Sequence, residues 1–144
     1  MVFEVKRASE LMLVALLKDA LPFLDFYPAK GGNDAGGETL PTPPFGVVWI
    51  DTSEKTMAQE ETWIVHGTVA WITRADITDV AVHSDTFKQI YDALAAIGSG
   101  VDTTHSLVIH GIDLANTDEF YDAERQAHGD VARFSLGVSE RLPG

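Results

Sequence analysis

Cysteine is absent from the 144 residues of this chain. That excludes disulfides, a thiol nucleophile and thiolate metal sites, and it leaves the redox compartment open. Long apolar runs are missing as well. No stretch approaches the roughly 20 residues that a membrane span requires. The opening MVFEVKRASE carries two basic residues, but the apolar run after it is broken by Lys18 and Asp19. An amphipathic helix is expected there rather than a signal peptide. Basic residues are scarce: 10 Lys and Arg stand against 22 Asp and Glu, a formal net charge of −12. Such a surface repels phosphate backbones and argues against a sequence-independent grip on DNA. It favours solubility, and it also suits a salt-rich environment.

Catalytic and cofactor signatures are lacking too. The glycine pairs Gly31-Gly32 and Gly36-Gly37 invite a phosphate-loop reading, yet neither GxxxxGK[ST] nor GxGxxG occurs, and no helix follows at once. No serine sits in a GxSxG setting. HExxH is absent, and the five histidines form no close pair at ligand spacing. His105 and His110 are expected on opposite faces of a strand, His66 and His83 in different elements, and His128 in a polar loop. Scattered surface or half-buried histidines are therefore expected, with no metal. The carboxylates Glu60, Glu61, Asp76, Asp79, Asp113, Asp118, Glu119, Asp122 and Glu124 lie mostly in polar segments, where solvation keeps them ordinary. The run TDEFYDAE lacks the alternating-oxygen loop and central glycine of a calcium site.

What is present is patterned apolar sequence. A chain of this length buries roughly two-thirds of its unfolded surface and needs no staples. One domain, 1–144, is the simplest division. Leu11, Val14, Leu17 and Leu21 follow helical spacing between about Phe3 and Leu21, and Leu13 and Leu16 widen the stripe beyond one face. Pro22 stops that helix. Phe23 to Tyr27 predicts a short strand, and FGVVWI, 45–50, a buried one. Asp51 to Gln59 reads as polar and turn-like.

ETWIVHGTVAWITR, 61–74, predicts a strand of about 12 residues, since side chains on a strand alternate faces. Trp63, Val65, Val69 and Trp71 then share one face, which reads as core rather than as a ligand-stacking platform. Thr62, His66 and Thr68 share the other, half-polar face, turned to solvent or to a neighbouring subunit. A second helix is expected over Asp79 to Ile97, its regular part near 84–97. Ser84 or Asp85 would cap its start and Gly98 its end. Phe87, Ile90, Tyr91 and Leu94 line its apolar side, the natural cover for the tryptophan face. HSLVIHGI, 105–112, predicts a buried strand. The acidic stretch 113–130 follows as an excursion with a helical turn. Alternation resumes from Asp130 to Val138, with Ala132, Phe134, Leu136 and Val138 pointing one way. The expected class is α+β: a mostly antiparallel sheet packed by two main helices.

Residues 28–44, PAKGGNDAGGETLPTPP, hold four glycines and four prolines. Such a composition supplies turns rather than core. Loops of this length in small domains are usually functional or disordered. Lys30, Gly31, Gly32, Asn33, Asp34, Gly36, Gly37 and Glu38 are the candidate interface loop, expected to be flexible until a partner orders it. Deleting residues 30–40 is expected to impair assembly while leaving the fold intact.

The order of these segments resembles the tail terminator proteins of long-tailed phages and viruses, the minor tail protein U type. The likeness is carried by SELMLVALLKDAL before a Gly/Pro-rich loop, then PPFGVVWI, EETWIVHGTVAWI, DTFKQIYDALAAIG, SLVIHGI and VARFSLGV. It spans nearly the whole chain except 113–130, which matches no family pattern. The resemblance implies a structural virion protein that forms a six-membered ring on the head-proximal end of the tail tube. Such a ring ends tube polymerisation and offers a surface to the neck of the filled capsid. Its implied partners are its own copies, the tail tube protein and a neck or head-completion protein. DNA passes through the lumen without specific binding, and neither cofactor nor reaction is implied. Two other classes stay open. One is a head-completion or neck adaptor, expected to be richer in strands. The other is a small cellular α+β enzyme or binding module, which would show a pocket with convergent polar groups.

Overall fold

The strongest alternation in the chain becomes the middle of its sheet. In a computed structural model, which describes residues 4–29, 42–56, 62–102 and 107–140, Thr62–Arg74 forms a strand of 13 residues. The described elements run α1 (Val5–Ala20), β1 (Phe26–Pro28), β2 (Phe45–Lys55), β3 (Thr62–Arg74), α2 (Val80–Ala95), β4 (Gly100–Asp102), β5 (Leu107–Asp122) and β6 (Ala127–Glu140). One six-stranded sheet holds all the strands in the order β1-β2-β3-β6-β5-β4. Only β1 runs parallel to its neighbour, and every other pairing is antiparallel. The class is α+β, as the sequence predicts.

Both helices lie on one face of the sheet. α1 buries Val5, Met12, Leu13, Val14 and Leu17, more than one narrow stripe, in keeping with its widened apolar pattern. It ends where expected. Leu21 caps it by donating its N–H to the Leu17 carbonyl at 2.8 Å, and Pro22 blocks another turn. α2 buries Ile90 and Leu94, while Phe87 and Tyr91 are half-buried against the same core. From the sheet come Val48 and Ile50 on β2, Val65, Val69 and Trp71 on β3, and Ala132, Phe134, Leu136 and Val138 on β6. Trp63 packs against this cluster as a half-buried ring. Its far side meets Lys55, whose Nζ stands 5.8 Å from the ring centroid.

The cover of the tryptophan face departs from the sequence expectation. α2 packs mainly on β5 and β6, and α1 lies over β1, β2 and part of β3. Connectivity is the reason. α2 carries the chain from β3 to β4 at the far edge, so it must cross the intervening β6 and β5.

Three further boundaries are corrected. β2 continues through Asp51–Lys55, where a turn was expected. Its polar residues pair with the first half of β3, and backbone bonding holds a strand there without apolar side chains. A bulge between Ile50 and Thr52 takes up Asp51. The acidic stretch after Asp113 makes no helical turn. It is the outer half of β5, paired as far as Asp122 with β6, and His128 belongs to β6 rather than to a loop. Finally, Asp79 rather than Ser84 or Asp85 caps α2, accepting from the Ala81 N–H at 2.7 Å. Ala96, at φ −82° and ψ −6°, ends the helix, so Gly98 is not its cap.

Candidate functional site

The face of the sheet turned away from the helices is built by the alternate residues of the same strands. On β2 these are Phe45, Val47 and Trp49, because Val48 and Ile50 are spent on the core. On β3 they run from Thr62 through His66, Thr68, Ala70 and Ile72 to Arg74, and β6 adds Ala127, Gly129, Val131, Arg133, Ser135 and Ser139. Among the described residues no helix covers this side.

This face divides along its length. One half is polar. Thr62 and Ser139, cross-strand partners, bring their hydroxyls to 3.1 Å. His66 and Ser135, also partners, bond at 2.9 Å through Nδ1. The second histidine nitrogen lies 4.0 Å from the Glu54 carboxylate, and His110 reaches Ser139 at 2.5 Å. These are surface ladders of cross-strand pairs.

The other half is an apolar groove of about 790 Å³. Phe45, Val47, Trp49, Ala70 and Ile72 form its floor, and the end of the β5–β6 hairpin turns Phe120 over one side. Phe120 pairs with Gly129, and a Cβ on that glycine would fall inside its ring. The turn after β5 closes through Gln126 at φ 50°, which brings Arg125 to the rim. Arg125 stands 3.9 Å from Asp122. At the β3 end, Arg74 donates to both oxygens of Asp76, from Nε at 3.1 Å and from Nη2 at 2.7 Å. The guanidinium so placed holds the Asp76 carboxyl below its ordinary range. The groove offers apolar area and rim charges but no convergent acid and base.

On the helix side lies one buried polar cluster. His83 of α2, 3% exposed, is bonded through Nδ1 to the Thr73 hydroxyl at 2.7 Å and through Nε2 to Asp130 Oδ2 at 2.6 Å. A carboxylate only accepts, so Nε2 carries the hydrogen and donates to Asp130. His128 lies beside it, the ring centroids 5.8 Å apart and the planes tilted by 50°. Thr73 is itself only 2% exposed, so the chemistry of this trio is that of a tie between α2, β3 and β6. Among the described residues no group of His, Asp and Glu stands at metal-holding distance. No helix there is long and apolar enough to cross a membrane.

The sequence-predicted residues fall into two sets. Val65, Val69, Trp71, Ile90 and Leu94 are buried together, with Trp63, Phe87 and Tyr91 half-buried around them. The candidate interface loop, Lys30 to Glu38, lies outside the described residues. His105 also lies outside them. Sequence reasoning missed the groove and the His83 tie. The groove did leave a signal: FGVVWI is apolar at consecutive positions, a pattern of strands buried on both faces. The tie left none, because Thr73, His83 and Asp130 are far apart in a chain whose strand order was unknown.

No family model matches the chain, and no curated protein matches it in sequence. Solved structures do share its fold. A chain of the virion of native gene transfer agent (GTA) particle superposes with a TM-score of 0.55 at 11% identity, over 94% of this chain and 92% of that one. A second solved chain gives a TM-score of 0.50 at 14% identity, over 96% and 94%.

Proposed function

We propose that this chain is a structural virion protein that caps the head-proximal end of a tail tube as a ring. In that role it ends tube polymerisation and joins the tail to the neck. The observation that supports this most is the fold likeness to a chain of a gene transfer agent virion, which extends over nearly the full length of both chains. The open apolar groove agrees with a protein whose work is contact with other chains. Closed rings use heterologous contacts, one patch meeting a different patch on the neighbour. The partners in this reading are other copies of the chain in a ring of six, together with the tube protein and a neck or head-completion protein. Its place is the head–tail junction of the particle. A net charge of −12 lets DNA slide through a lumen without adhering. The reading requires neither a cofactor nor a reaction.

Disruption of the gene in a producing strain tests it. Tails of unregulated length, and heads without joined tails, are the expected outcome in electron micrographs. Particles with tails of normal length and normal joining would sink the reading.

A further inference from the structure

The groove has a complement on the same molecule. Just beyond Arg74, the N-terminal shoulder of α2 exposes Ile77, Val80 and Val82 at 70%, 60% and 57%. Three large apolar side chains within six positions, all more than half exposed, are costly to leave in water. Between Ala75 and Phe87 the chain carries Asp76, Asp79 and Asp85 and no lysine or arginine. The groove is less acidic: the arginines of its lining, Arg74 and Arg125, are matched by Asp76 and Asp122, so the charges at its rim balance. In a chain of net charge −12, a lining without surplus negative charge is the exception. Two acidic copies repel each other over most of their surfaces and least where a balanced lining meets an acidic ridge.

We propose that the groove receives the α2 shoulder of a second copy of this chain. Ile77 and Val80 of one copy would seat against Val47, Trp49 and Ile72 of the next. Asp79 and Asp85 would then approach the arginines at the rim. The two surfaces belong to opposite faces of the sheet, since α2 rides on the helix side and the groove opens on the other. Each copy therefore gives its shoulder to one neighbour and receives that of another. Such a contact is head-to-tail, and it propagates into a ring or a filament rather than closing as a two-fold dimer. The inference rests on the self-assembly in the reading above and adds which surfaces meet.

The absence of cysteine makes the contact testable by disulfide trapping. Val47→Cys places a thiol in the groove and Val80→Cys places one on the shoulder. Under mild oxidation an equimolar mixture of the two full-length variants is expected to give a mixed dimer, and neither variant alone a disulfide. The double variant Val47→Cys/Val80→Cys is expected to give a ladder of higher species. Val80 is 60% exposed, so Val80→Asp leaves the fold unaltered by circular dichroism; it is expected to weaken self-association at least tenfold in sedimentation equilibrium. Homodimers from Val80→Cys alone would overturn the proposal, because they require shoulder to meet shoulder. Undiminished association of Val80→Asp would also overturn it, while leaving the ring reading in place. So would a chain that stays monomeric and unlinked at every concentration. Whether particles need the protein is decided separately by the tails of the disrupted strain.

Discussion

His83 Nε2 lies 2.6 Å from Asp130 Oδ2, a bond that ties the first turns of α2 to β6, beside β3 at the centre of the sheet, across 47 residues of sequence. With Thr73 on the other ring nitrogen, both polar atoms of a buried imidazole are satisfied. Removing one partner leaves a buried donor unpaired, which costs about 1–3 kcal/mol. Asp130→Ala is therefore expected to destabilise by that amount in urea unfolding. Thr73→Val is expected to cost about 1 kcal/mol. Because the two act on one ring, the double variant should depart from additivity by about 0.5 kcal/mol or more. Strict additivity would mean that His83 is not the hub.

Glu10 is a second buried polar group with a specific task. Its Oε2 accepts from the Ile50 N–H at 3.2 Å, beside the bulge that absorbs Asp51. A bulge breaks the ladder, and the carboxylate supplies an acceptor from α1. Glu10→Gln keeps an oxygen in place and is expected to cost under about 1 kcal/mol. Glu10→Ala is expected to cost about 1–3 kcal/mol, with the Ile50 amide exchanging faster. An unchanged exchange rate at Ile50 would contradict the assignment.

Gly67 on the helix-side face and Gly129 on the outer face should respond to the same change to different degrees. A Cβ on Gly67 would meet the Trp49 carbonyl oxygen at 2.6 Å, the Phe134 ring at 2.7 Å and Ile50 Cδ1 at 2.8 Å. Backbone and core atoms cannot yield, so Gly67→Ala is expected to destabilise by about 1–3 kcal/mol. At Gly129 the obstruction is the ring of Phe120, which is 45% exposed and free to swing. Gly129→Ala is expected to cost under about 1 kcal/mol in thermal unfolding. Equal losses at both sites would show that the hairpin end is as tightly held as the core.

Acid should touch the groove rim only weakly. The hydrogen bond from Arg74, and then its charge, lower the Asp76 pKa from an ordinary 3.8. A depressed carboxyl stabilises the fold above its unfolded value, and the contribution is lost as pH falls through the lowered one. The pair is solvent-exposed, so its share is small. Asp76→Asn is expected to leave stability at pH 7 nearly unchanged and to flatten the acid limb below 3.8 slightly. A large loss at neutral pH would show that the pair does more than decorate the rim.

Much of the fold was legible because its signals are local. Even spacing placed Trp63, Val65, Val69 and Trp71 on one face, and three of the four are fully buried. Helical spacing located Ile90 and Leu94. Pro22 marked the end of α1 by its steric effect on the preceding residue. Polar composition misled the reading of Asp51–Lys55 and of residues 113–122. Edge and hairpin strands are held by backbone bonds that any side chain permits, so their composition carries little sign of the strand. Asp79 was overlooked as a cap because the helix begins before its apolar stripe does.

By itself, the sequence determined which residues are apolar, at what period, and how acidic the chain is. From these follow an α+β class, most of the core and the lack of any recognisable catalytic signature. Tertiary structure alone decided that β6 lies between β3 and β5. That order sends α2 over β6, brings His83 to Asp130 and Thr73, and leaves the other side of β2 and β3 without a covering helix among the described residues. Strand order depends on pairings between segments distant along the chain, and no local period encodes a partner that far away.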